Sequence, residues 1–433
     1  MITTVRNFVQ RSPAYTVWIL FLLGLVAIGG VSIGHVLING LGVTNLTDQL
    51  PWGLWITVDL SAIALGAGAF TLSAAVYIFG WKRYEAIARA AVFVGLLGYT
   101  SAMIALFVDI GRPDRFYHPL LYWNVHSVLW EITMAVMIYS TVLIMEVSAI
   151  VIEHTRLNEN RTLHTIAHWL HRVMPLFALI GMGLSLVHQS SLGATYGVLM
   201  ARPVWYSPSA PVLFILSAVA SGLAAIIALT ALTGSFMNKF LLPSDVLRGL
   251  TRFAGIMALA YLYLKLWGWL STQYYSHSPA VARDLELLAE HTPYGFTFWW
   301  FEILLGTLVP AIIFLWPRTR GNRLALITAG GLSVLGLLTY RWNTTLSGLV
   351  VPLDWSPGVE YMAPIVTYTP SLVEWGVTLG IIGYWWLAWS LAARFVNLYP
   401  YARNPGEPEV ELEHDHKTVQ VPGQPAPTPA TGD

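Results

Sequence analysis

Ten stretches of this chain are apolar over about 20 residues, the length a helix needs to cross the hydrocarbon core of a bilayer. They fall at residues 15–37, 53–80, 89–111, 125–152, 172–192, 209–233, 247–270, 294–316, 322–340 and 371–393. Polar and turn-forming residues separate them, so the pattern predicts an all-α, polytopic membrane protein of about ten transmembrane helices. The first stretch is too long for a cleavable signal, and no small-x-small site follows it before the second. The expected organisation is an N-terminal segment at 1–14, a membrane domain at 15–395 and a tail at 396–433. The tail is acidic from Glu407 to Asp415 and proline-rich from Pro422 to Pro429, which predicts disorder. Gly30-x-x-x-Gly34, Gly66, Gly68, Gly95 and Gly98 are expected at helix–helix seams, where small residues let backbones approach.

Composition supports the membrane class. Hydrophobic residues make up 56% of the 433 and charged residues only 11%, against roughly 25% charged in a soluble domain. Lys plus Arg is 23 and Asp plus Glu is 23, so no excess of positive charge argues for a nucleic-acid partner. There are no cysteines. That excludes disulfides, a covalently attached c-type haem and any cysteine-held iron–sulfur centre within this chain.

The basic residues predict orientation. With the N-terminus inside, 17 fall in inner segments and five in outer ones: Arg112, Arg115, Arg202, Arg283 and Arg341. Lys265 lies within a span. Both termini are therefore expected in the cytoplasm, in the inner membrane of the cell. The outer loops at 38–52, 112–124, 193–208, 271–293 and 341–370 are rich in Trp, Tyr and Pro, and suggest a structured cap or docking surface.

An ionisable group inside a membrane is costly and needs a partner or a task. The candidates are His35, Asp59, Asp109, His126, Glu131, Glu146, His188, Lys265, Glu302 and Glu374. On this topology only Glu146 falls in the inner half; the other nine are in the outer half. Asp109 and His126 border the interface, where solvation explains them, and Lys265 is placed to snorkel outward. Asp59, Glu131 and His188 lie deeper. Such one-sidedness suits a polar cavity opening outward between helices. Transmembrane haem would need facing histidine pairs, usually in both leaflets, yet His35, His126 and His188 all lie in the outer half. The chemistry left to the chain is proton and hydrogen-bond handling of a bound organic molecule.

Four blocks carry a family resemblance: Leu50-Pro-Trp-Gly-Leu-Trp-Ile-Thr-Val-Asp59, Trp123-Asn-Val-His-Ser-Val-Leu-Trp-Glu131, Val187-His-Gln-Ser-Ser-Leu-Gly193 and Phe298-Trp-Trp-Phe-Glu-Ile-Leu-Leu305. In this order they resemble the NrfD/PsrC (polysulfide-reductase-type) membrane subunits. Within that family the best likeness is to the HybB-type branch of nickel–iron hydrogenase-2, which Val373-Glu-Trp and Arg341-Trp-Asn also fit. The resemblance covers about residues 15–395. It implies two four-helix bundles, helices 1–4 and 5–8, with extra C-terminal helices. It also implies a haem-free anchor that exchanges electrons with a quinone, menaquinone or ubiquinone. A ferredoxin-like iron–sulfur subunit would dock on the outer face and connect to an external hydrogenase, molybdenum enzyme or multihaem cytochrome. By motif, His35, Asp59, Glu131 and His188 are the first candidates for the quinone and proton site, with Asp59 and Glu131 passing protons. Gln189, Glu302, Arg341 and Glu374 follow.

The rival reading is a secondary transporter or ion channel that uses the buried carboxylates. It would spread polar groups through both leaflets and carry an inverted repeat. Another rival is a scaffold without bound quinone.

Overall fold

The computed structural model describes residues 13–153, 156–276, 279–351 and 366–408. Residues 1–12 and the tail from 409 onward, both assigned to the cytoplasm from sequence, lie outside the described residues. Among those described, ten helices are long and apolar enough to cross a membrane. They are α1 (Pro13–Asn39), α2 (Leu54–Tyr77), α3 (Glu85–Asp109), α4 (Val128–Glu153), α5 (Arg161–Gly197), α6 (Ala210–Met237), α7 (Ser244–Leu270), α8 (Tyr294–Leu315), α9 (Arg323–Val350) and α10 (Leu372–Phe395). Most are apolar on every face, as befits helices solvated by lipid on one side and protein on the other. The all-α, ten-span expectation holds.

Two helices, α5 and α9, run about ten residues further than hydropathy predicts. α5 begins at Arg161, where the Asn160 side chain accepts from Thr162 N at 3.0 Å and Leu163 N at 3.3 Å. α9 continues past residue 340 to Val350. The segment 341–350 is polar, which lowers its hydropathy, but Arg341, Asn343, Thr345 and Ser347 are buried against other helices. Arg341, assigned to an outer loop from sequence, is thus inside α9 and fully buried.

Two four-helix bundles are present, but the grouping is shifted by one helix from the one expected. α2–α5 pack into one bundle and α6–α9 into the other, and α2 and α6 form much of the contact between them. The additional pair is α1 with α10, the two ends of the membrane domain, lying against α3. Small residues explain this pairing. A side chain on Gly29 or Gly380 would collide with the other's backbone, and one on Gly383 would meet the backbone of α1 near Leu22 and Val26. Gly30 and Gly34, expected at a helix–helix seam, instead have open space where a Cβ would stand. Beyond α10 the chain stays packed through the start of the expected tail. Leu398 and Tyr399 are buried, and Phe240 pairs with Arg403 in an isolated β-bridge.

One end of the molecule carries the longer connections, including a short helix at Pro279–His291. Here Trp52, just before α2, stacks on Trp205 at 6.2 Å and meets Tyr196 edge-on at 5.8 Å. The cluster joins the two bundles. Arg202 closes the end of α9 by donating to the carbonyls of Gly348 and, at 3.1 Å, Val351.

Candidate functional site

All the candidates but Glu146, which stands near the far end of α4, lie toward this loop-rich end, but they form separate groups. Depth in the membrane is a single coordinate; which way each helix face points decides which side chains meet.

The first group is in the α2–α5 bundle. Asp59 stands on α2 about 8 Å from the start of the helix, and His188 on α5 about 14 Å from its end, at 1.5 Å rise per residue. Both are buried, as is Gln189. The Tyr99 hydroxyl on α3 lies 3.0 Å from His188 Nδ1, so Nε2 is the ring nitrogen left over. Tyr139 on α4 packs edge-on to Tyr99, with ring centroids 4.6 Å apart. Asp59 lies near both Tyr99 and Asp109. Among the described residues, Asp59 Oδ1, His188 Nε2 and both amide atoms of Gln189 have no hydrogen-bond partner. Buried polar atoms almost always find partners, and those left over call for a reason such as a bound molecule. This donor and acceptor set fits a ligand with carbonyl or hydroxyl oxygens. Glu131, about 5 Å into α4, is only half-buried and accepts from Ser191 Oγ at 2.7 Å.

The second group is in the α6–α9 bundle. Glu302 Oε1 meets Lys265 Nζ at 2.8 Å and the Tyr261 hydroxyl at 2.9 Å, while its Oε2 is 3.4 Å from Asn343 Nδ2. Glu302 sits in a π-helical stretch, Thr297–Leu308, in which Thr307 Oγ1 bonds back to the Glu302 carbonyl at 2.8 Å. Wide turns of this kind are frequent at functional sites. Arg341 lies apart, its guanidinium 3.6 Å from the Phe214 ring centroid and 3.1 Å from Ser217 Oγ.

Glu374 and His35 belong to neither group. Glu374 accepts from Ser371 N at 2.8 Å and Asn45 N at 3.0 Å through Oε2, and from the Tyr368 hydroxyl through Oε1. With Ser371 it forms a capping box at the start of α10. Tyr368 in turn accepts from Leu54 N at 2.9 Å and occupies the space a side chain at residue 53 would need. Much of the Pro51-Trp-Gly block therefore serves this knot and the Trp52 cluster. Burial and the bond to Glu374 push the Tyr368 phenol above the usual tyrosine range, so it stays a donor. His35 is exposed on α1, beside Asn39 Nδ2 at 3.3 Å, and is not brought to His188.

Tyr99, Tyr261 and Asn343 were not among the sequence candidates. Charge-bearing groups stand out in an apolar span, whereas neutral tyrosine and asparagine side chains do not.

Fold and site together define a polytopic helical membrane protein with two bundles and buried, partly unpaired polar groups gathered at one end. Residues 42–352 match the family described as polysulphide reductase, NrfD, and the chain belongs to that family. It is 34% identical over 401 residues to the integral membrane subunit of menaquinone reductase from Nitratidesulfovibrio vulgaris, covering 89% of this chain and 92% of that protein. To a selenate reductase subunit of Mesobacillus selenatarsenatis it is 28% identical over 429 residues, 92% and 97% of the two chains. The expected likeness to the hydrogenase-2 branch is present but weaker than the first of these. To the probable Ni/Fe-hydrogenase 2 b-type cytochrome subunit of Escherichia coli, identity is 26% over 380 residues, 84% and 88% of the two chains.

Proposed function

We propose that this chain is the quinone-reactive membrane subunit of a respiratory oxidoreductase complex, and that it uses menaquinone. The observation that carries the reading is the buried set of Asp59, His188 and Gln189, with polar atoms lacking partners among the described residues, in a chain of the NrfD family. Menaquinone is favoured by the relative named for its reduction. With no cysteine in the sequence, electrons come from or go to an iron–sulfur subunit docked on the loop-rich end. The excess of Lys and Arg in the opposite loops assigns that end to the outside, with both termini in the cytoplasm. The complex is completed by an external catalytic partner.

Quinone bound here supplies the two-electron redox couple. The residues of this chain supply orientation and protons. His188, held by Tyr99, presents Nε2 to a carbonyl oxygen, and the Gln189 amide adds a further donor. Asp59 holds or passes a proton at that oxygen, because charge cannot build up in a low-dielectric pocket. Glu131, nearer the surface, exchanges protons with the exterior. His35 and Glu374 have no part in this arrangement.

Purification of the complex from native membranes under mild detergent tests the reading. An iron–sulfur subunit and extractable menaquinone should accompany the chain. A chain that purifies alone and quinone-free, yet carries solute across liposomes, would establish the transporter reading instead.

A further inference from the structure

The α6–α9 bundle holds a cavity of about 250 Å³ that the proposed quinone site in α2–α5 does not use. It lies between the 203–210 segment, the short helix at Pro279–His291 and the facing sides of α7, α8 and α9. Much of its wall is flat aromatic surface from Trp205, Phe214, Phe298 and Tyr340. Lys265 and Glu302 form its charged part. The Lys265 side chain keeps 15% of its exposure while that of Glu302 keeps 2%, so the ammonium is the more open member of the pair. An ammonium has three N–H donors, and Glu302 engages it through Oε1. Lys265 Nζ also lies 4.1 Å from the Tyr340 ring centroid, which fixes it against one wall.

These features select a ligand. The ion pair is neutral as a unit, so it disfavours a ligand with net charge. The remaining donors of Lys265 call for an acceptor oxygen, and flat walls call for a flat ring. Ser207 and Ser209, 2.9 Å apart, add hydroxyls elsewhere on the lining. We infer that this cavity is a second binding site, separate from the Asp59–His188 set, for an aromatic headgroup bearing carbonyl oxygens, of the quinone class. It rests on the reading of the chain as quinone-reactive. Lys265 donates to one carbonyl and the rings enclose the headgroup.

Gly268 provides a test that leaves the ion pair intact. It lines the cavity, and a Cβ there meets nothing within 4 Å, so the side chain of Gly268→Leu starts in open space and takes up part of it. The intact complex in native membranes is photolabelled with an azido-naphthoquinone and the modified peptides are mapped. Wild type should be labelled both in α2–α5 and on the cavity wall, in the 203–210 segment or in α7 and α8. In Gly268→Leu and Lys265→Met, wall labelling should fall about tenfold, the scale of one charged hydrogen bond, while α2–α5 labelling stays. Labelling of α2–α5 alone in wild type overturns this inference and leaves the proposed function standing, as does wall labelling that persists in Gly268→Leu. Absence of label from both regions overturns both.

Discussion

The Tyr99 hydroxyl and His188 Nδ1 stand 3.0 Å apart between α3 and α5, in a part of the first bundle closed to solvent. The bond orients the imidazole and leaves Nε2 as its free position. Tyr99→Phe removes the partner and leaves a buried ring nitrogen unsatisfied, at a cost of about 1–3 kcal/mol. The purified complex should melt at a lower temperature. An unchanged melting temperature would mean that the bond contributes no stability.

Gly380 and Gly30 differ in what a side chain would meet, because only the first lies on the α1–α10 seam. Gly380→Leu forces a side chain into the backbone of Gly29, and overpacking of this kind costs about 1–3 kcal/mol. Gly30→Leu, one residue along α1 but facing open space, should cost little. Thermal melting of the two variants checks the pairing. Equal losses would contradict it.

That seam also marks where the sequence is readable. Hydropathy places all ten spans, because crossing lipid demands about 20 apolar residues whatever their neighbours. It cannot say which helices pair, because lipid tails and protein core are equally apolar and the helices have little amphipathic contrast. The glycines at 376, 380 and 383 on α10 were the available signal, and Gly29 rather than Gly30 is their counterpart on α1. The candidate site follows the same rule. Depth put His35 at a level like that of His188, but α1 leaves His35 exposed while α5 turns His188 into the bundle. Arg341 was misplaced because polar residues that face other helices lower the hydropathy of a genuine span.

The Lys265–Glu302 pair is 2.8 Å long and largely buried. Glu302→Gln leaves the ammonium without its carboxylate, a change that costs about 3 kcal/mol in buried pairs. A Glu302→Gln, Lys265→Met double variant should regain much of that loss. Chemical denaturation of the four members of the cycle measures the coupling. Additive effects would mean that the two side chains are energetically independent.

Glu374 ties the start of α10 to the connection between α1 and α2 through Asn45 N. Glu374→Ala should raise the hydrogen-exchange rate of the Asn45 amide, by about tenfold for each 1.4 kcal/mol lost locally. Quinone turnover should respond far less than it does to changes at Asp59. A large, selective loss of turnover with unchanged exchange would return Glu374 to the quinone site.

The most direct measurement concerns Asp59, a buried carboxylate with an oxygen lacking any partner among the described residues. Quinone-dependent turnover of the intact complex is compared between wild type and Asp59→Asn, with the iron–sulfur subunit supplied with electrons from a chemical reductant. Removing a positioned proton donor should slow turnover about a hundredfold or more, with the complex still assembled and its clusters still reducible. Turnover at the wild-type rate in an assembled Asp59→Asn complex would contradict the assignment of the α2–α5 site.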